Sequence, residues 1–278
     1  MRHTFCLGCL LLSIGAFAAD GWKPLFNGKD FAGWQTYLSA PEAGWQVSGL
    51  KRATNGNYLE PVGLNHDPLK VFTVGTVDGR PAIHISGQGY GTLTTTANFT
   101  NFHLRLQMKW GEKRWGKRAT APRDSGLLYF GHGTPGAMSG NWPRSIEFQI
   151  QEHDIGDLYP IGARITVKAV QPTTNSWAYD REGAPRVFEK NRRCIKHGDA
   201  EKPNGEWNTL ELICLHGDSV HIVNGRVMMR LTHAERVDGK NPEPLTSGHL
   251  SLQTEGAEVF YRDIEIQPIL EMPRAFLE

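Results

Sequence analysis

Between Asp124 and Tyr159 lies a run that alternates residue by residue: Ser145-Ile146-Glu147-Phe148-Gln149-Ile150-Gln151-Glu152-His153. Successive side chains of a β-strand point to opposite faces. Ile146, Phe148 and Ile150 therefore share a face that a core can absorb, while Glu147, Gln149, Gln151 and His153 share the other. The same period recurs from Phe102 to Trp110, where Leu104, Leu106, Met108 and Trp110 alternate with His103, Arg105, Gln107 and Lys109. Val220 to Val223, Asn224-Gly225 and Val227 to Leu231 read as a hairpin whose turn residues suit the positive φ angles of a type I′ turn. No stretch sustains a 3.6-residue apolar period. Many short strands separated by turn signals predict an all-β chain, a jelly-roll β-sandwich of two antiparallel sheets.

Two segments read as long irregular insertions, Ala53 to Lys70 and Gln171 to Asn204. Gly111 to Arg123 reads as a basic loop, solvated in preference to an anion clamp. Gly87-Gln88-Gly89-Tyr90-Gly91 faintly resembles a nucleotide loop, but no helix pattern follows it, so it reads as a turn into a strand. A formal net charge of +1 over 278 residues argues against nucleic acid or an acidic membrane surface as a main partner.

The first residues read as an export leader. Met1-Arg2-His3 is a basic start, Phe5 to Phe17 is apolar but too short to span a bilayer, and Ala16-Phe17-Ala18 places cleavage after Ala18. Residues 19–278 are then a single domain, exported to the periplasm or outside the cell, and no later segment is a candidate membrane span. Leu7-Gly8-Cys9 stands at the start of the apolar run rather than after it, which argues against lipidation. Cys6 and Cys9 leave with the leader. Cys194 and Cys214 remain, either as a disulfide, worth about 3 kcal/mol by chain entropy, or as two separate thiols.

The polar row on the central strand is the candidate site. A half-buried strand with a solvated outer face is the ordinary alternative. Against it, the row ends in a potential base, His153, and is preceded by a Gly- and Trp-containing loop, Gly131 to Trp142, of the kind that walls a site. Glu147 and His153 would lie about 20 Å apart on a straight strand, so partners for Glu147 are sought on neighbouring strands, with Lys109, Asp124 and His132 as candidates. Gln149, Gln151 and Arg144 suit sugar hydroxyls and Trp142 suits stacking on a sugar ring. A retaining glycosidase needs a second carboxylate about 5–5.5 Å from the first, and the positions after Glu147 on its face are Gln149 and Gln151, which argues against that route. No firm metal spacing is present, although a divalent ion around Glu147, Glu152, His153 and Asp154 is left open. No organic cofactor motif is found.

Several motifs, in order along nearly the whole chain, resemble the 3-keto-disaccharide (3-keto-glucoside) hydrolase family. They are Leu25-Phe26-Asn27-Gly28-Lys29-Asp30 with Gly33-Trp34, Asp124-Ser125-Gly126-Leu127, Glu147-Phe148-Gln149-Ile150, Lys202-Pro203-Asn204-Gly205-Glu206-Trp207-Asn208, Val223-Asn224-Gly225, and Gly248 to Gln253 with Val259-Phe260-Tyr261-Arg262-Asp263-Ile264. The sequence departs from the family where Asp124 stands for the usual Asn, and where Gln107 and Lys109 stand for an acidic residue and an Arg. The resemblance implies a concanavalin- and laminarinase-like fold and cleavage of 3-keto-glycosides. In that chemistry the C3 ketone acidifies the C2 hydrogen, an enolate expels the C1 substituent, and water adds afterwards. Glu147, His153 and Lys109 are the expected catalytic groups, and Asp124, His132, Trp142, Arg144, Gln149 and Gln151 the expected substrate contacts. A sugar 3-oxidoreductase is the implied partner that supplies the ketone. A non-catalytic carbohydrate-binding jelly roll is the alternative, since the same fold serves both uses.

Overall fold

The computed structural model describes residues 21–276. The leader, its cleavage point, Cys6 and Cys9 lie outside these residues. Two antiparallel sheets pack face to face as a jelly-roll sandwich, and helix is limited to two short 3-10 turns, Gly116–Ala119 and Arg274–Phe276. No described helix is long and apolar enough to cross a membrane.

The inner sheet runs, edge to edge, Leu158–Ile161, Arg144–Gln151, Asp124–His132, Ser247–Glu255, Tyr90–Thr95, Trp34–Leu38 and Gly63–Leu64. The outer sheet places Phe102–Arg114 between Asn208–Leu215 and Ala257–Pro268 near its middle. Ser247–Glu255 and Ala257–Pro268 are consecutive in sequence but belong to different sheets. The chain crosses between them at Gly256, whose φ of 80° is one that a side chain would disfavour.

The alternation read from the sequence sets which face meets the core. Ile146, Phe148 and Ile150 are fully buried, and opposite them Leu104, Leu106 and Met108 project inward from the outer sheet. The hairpin turn is as expected, with Asn224 at φ 50° and Gly225 at φ 77° between Asp218–Val223 and Arg226–Arg236. Ala53 to Lys70 is irregular apart from Gly63–Leu64. The segment from Gln171 to Asn204 differs from its reading as an insertion. It contributes two strands, Ser176–Tyr179 and Ala184–Glu189, which pair with Ala163–Thr173. Most of their residues are exposed or half-buried because they decorate a sheet edge, and such an edge lacks the apolar period by which a strand is recognised. Cys194 and Cys214 are both buried free thiols.

Candidate functional site

Glu147, Gln149 and Gln151 project from the polar face of the Arg144–Gln151 strand into a cavity of about 280 Å³. The neighbouring strand pairs Gln151 with Asp124 and Gln149 with Gly126, so Asp124 enters the same cavity one strand over. The next strand, Ser247–Glu255, brings Gln253 beside Glu147 and Glu255 into the cavity. Trp142 arrives from the loop before the central strand, and Tyr159 from the sheet edge beyond it.

Gly126 is what allows Glu147 and Gln253 to meet. A Cβ at this position would sit 2.3 Å from Gln253 Oε1 and 2.4 Å from Glu147 Oε1. The missing side chain opens the space above the middle strand in which the groups from its two neighbours converge.

A guanidinium organises the other half of the cavity. Arg118 sits on the 3-10 turn of the basic loop, and its side chain is only 12% exposed. It pairs with Asp124, lies 3.1 Å from Glu255 Oε1, and donates to Gln151 Oε1 at 3.2 Å. Gly256 leaves room for its stem, since a Cβ there would lie 2.8 Å from Arg118 Cγ. Lys117 approaches Glu255 at 3.9 Å.

The two glutamates therefore sit in different fields. Burial pushes the Glu147 carboxyl well above the usual carboxylate range, the nearby charge of Glu255 pushes it the same way, and the Gln253 hydrogen bond opposes this only in part. Burial raises Glu255 as well, and Arg118 and Lys117 offset only part of that rise. Of the two, Glu255 is the more readily ionised, since it alone has cations beside it.

Four buried polar atoms here have no hydrogen-bond partner: Gln149 Oε1, Gln253 Oε1, Asp124 Oδ1 and Arg118 Nε. Each unmade bond to a buried polar group costs about 1–3 kcal/mol. All four belong to the residues that surround Glu147 and Glu255.

The remaining expected site residues lie elsewhere. The strand ends at Gln151, and His153 sits in the following turn at φ 74°, exposed, with its backbone N–H donating to Glu201. It does not continue the polar row, because the alternation stops two residues before it. Lys109 has the expected alternation but belongs to the outer sheet. It points away from the core to Asp78, 2.8 Å off, on the side of the sandwich opposite Glu147. His132 and Arg144 face each other across a strand pair beyond a register shift. His132 lines a small separate compartment with His249, and the Arg144 stem packs beside Gly162 and Met138. Sequence reasoning missed Arg118, Gln253 and Glu255. No group of three or more His, Cys, Asp or Glu side chains among the described residues is arranged to hold a metal ion.

The sequence model of the 3-keto-α-glucoside-1,2-lyase-like domain matches residues 21–267. The chain belongs to this family. A carbohydrate-directed function follows from membership in the 3-keto-α-glucoside-1,2-lyase-like family. No curated protein matches the sequence. Among solved structures, a "putative glycosyl hydrolase" from Parabacteroides distasonis aligns with TM-score 0.48 and 19% identity, over 91% of this chain and 95% of that one. The carbohydrate-binding module CBM66 of Bacillus subtilis aligns at 0.41 and 8% identity, over 70% and 91%. The β-glucanase of Bacillus licheniformis aligns at 0.40 and 9% identity, over 90% and 97%.

Proposed function

We propose that the protein is an exported enzyme that cleaves 3-keto-glycosides by proton transfer between the sugar and the two buried glutamates. The observation that carries this reading is the pair itself: Glu147 and Glu255 face one cavity, burial raises both carboxyls, and only Glu255 has cations, Arg118 and Lys117, that oppose the rise. An elimination across C1–C2 needs one protonated carboxyl and one carboxylate.

In the first step the Glu255 carboxylate removes the C2 proton, and the electron pair moves toward the C3 ketone to form an enolate. The unpartnered Nε–H of Arg118 is a donor for the oxygen on which that charge develops. The C1–O bond then breaks as Glu147 gives its proton to the departing oxygen, releasing an alcohol and a 1,2-unsaturated 3-keto sugar. Water next adds at C1, its proton going to Glu147 while Glu255 returns the first proton to C2. Both carboxyls end as they began, and the net reaction is hydrolysis. The Gln149 and Gln253 amide oxygens accept sugar hydroxyls, and Trp142 offers its ring to a sugar face. The ketone must be installed by another enzyme, so a sugar 3-oxidoreductase acts before this protein.

The test is to incubate purified protein with a 3-keto-glucoside and with its unoxidised parent, following products by NMR. Release of the aglycone from the keto sugar alone is expected. Cleavage of both at similar rates would point to an ordinary glycosidase, and binding without turnover of either would make the protein a carbohydrate-binding jelly roll.

A further inference from the structure

A second cavity, about 560 Å³ in volume, takes part of its lining from the same segment of chain as the cleft. Asn191 lines the cleft, and Arg192, Arg193 and Ile195 line the second cavity. Successive Cα atoms are about 3.8 Å apart, so this one segment reaches both spaces within a few residues of backbone. A chain of polar contacts also joins them. Gln151 in the cleft donates to Asp154 at 2.6 Å, and Arg193 reaches Asp154 at 2.6 Å from the second cavity.

The lining of this cavity is that of a sugar site. Trp177 is half-buried, and the Arg186 guanidinium lies 3.6 Å over one face of its ring. Arg186 is not part of the lining, whereas Trp177 is. Around the indole stand the amides of Gln171 and Asn175, the hydroxyl of Ser176 and the guanidinium of Arg192. No carboxylate lines the space. Ser176 is bonded to Thr173 and the Gln171 amide to a backbone carbonyl, whereas the Asn175 and Arg192 side chains make no hydrogen bond or ion pair within the described residues. An aromatic ring flanked by free amide and guanidinium groups matches the apolar face and peripheral hydroxyls of a sugar ring.

We infer that this cavity is a second saccharide subsite, which holds a unit of the substrate remote from the bond broken in the cleft. The inference rests on the reading of the cleft as the reacting site. It makes the preferred substrate an oligosaccharide longer than a disaccharide. Binding energy collected at Trp177 would be spent on positioning the keto sugar against Glu147 and Glu255.

The experiment compares kcat/KM for a 3-keto-disaccharide and a 3-keto-trisaccharide of the same linkage. The wild type should prefer the trisaccharide, and Trp177→Ala should reduce that preference about tenfold, the scale of losing one aromatic contact. Asn175→Ala and Arg192→Ala alter exposed side chains and should reduce the preference less, which keeps the test open if Trp177→Ala fails to fold. Equal kcat/KM for both lengths in the wild type, or a preference unchanged in all three variants, would overturn the subsite. Calorimetric binding of the unoxidised trisaccharide and disaccharide to Glu147→Gln separates this from the chemistry. If the wild type turns over no keto sugar yet the longer chain binds more tightly to Glu147→Gln, and Arg192→Ala in that background removes the difference, the cleft reading falls and the subsite stands. Turnover without any dependence on length has the opposite meaning.

Discussion

The central strand carries a buried polar cluster against each of its faces, and the two are built by opposite rules. On the core side, Phe148 stacks on His221 with ring centroids 4.3 Å apart and planes 11° from parallel. His221 Nδ1 donates to the Gly156 carbonyl at 3.1 Å, its Nε2 meets the Tyr129 hydroxyl at 3.1 Å, and that hydroxyl meets Ser219 at 2.8 Å. Every one of these groups has a partner. On the cleft side, Gln149, Gln253, Asp124 and Arg118 each leave a buried polar atom unpaired. Polar groups that complete one another fix a core. Polar groups left incomplete lower stability.

That contrast is broken most severely from the core side. Phe148→Ala removes a fully buried ring and the surface on which His221 stacks, and should cost about 3–5 kcal/mol, read as a shifted midpoint in denaturant. A loss under 1 kcal/mol would mean that the two sheets close over the gap. From the cleft side, Glu147→Gln keeps the shape and removes the proton-transfer group. Turnover of a 3-keto-glucoside should fall at least a hundredfold, about 2.7 kcal/mol of barrier, while the melting temperature holds or rises because a buried ionisable group is gone. Unfolding in place of lost turnover would make Glu147 a structural residue and erase the distinction between the two faces.

The sequence made one strand of this site readable and left its surroundings dark. Alternation alone assigned Glu147, Gln149 and Gln151 to one face, because a strand's own sequence contains its facing. The same signal stands in Ser251-Leu252-Gln253-Thr254-Glu255, whose polar phase holds Gln253 and Glu255. What it lacks is the neighbour: that this strand lies two strands over from Glu147, though about a hundred residues on, depends on long-range pairing. Arg118 has no periodic context at all, and its burial follows from the crossing of the chain at Gly256. His153 was misplaced by extending a period past the turn that Asp154 and Gly156 make, and Lys109 because alternation gives a face but not a sheet.

A milder change sharpens the comparison. Tyr129→Phe leaves the ring in place and deletes the hydroxyl shared by His221 and Ser219. It should cost about 1–3 kcal/mol, the price of leaving buried polar atoms unpaired, with turnover of the folded protein unaltered. Equal stability would show that the core network is as incomplete as the cleft.

The smallest effect is a dependence on pH, and its sign separates the clusters again. Burial lowers the His221 pKa to about 3 from an ordinary 6.5, so the folded protein holds it neutral while the unfolded chain takes up a proton below pH 6.5. The stability that depends on a neutral His221 is complete above pH 6.5 and is lost progressively as the pH falls toward 3. Buried carboxyls act in the other direction. Asp157, raised to about 6, and Glu147, raised well above its usual range, are protonated in the fold where the unfolded chain ionises them, so each favours folding more as the pH drops through its folded value. Denaturant midpoints at pH 6.5 and pH 5 should therefore show His221→Gln losing less stability on acidification than the wild type, by on the order of 1–2 kcal/mol. Glu147→Gln should show the reverse, losing more than the wild type over the same interval. Parallel shifts in both variants would mean that neither group titrates differently on folding, and the opposition between the two faces of the strand would then be one of geometry alone.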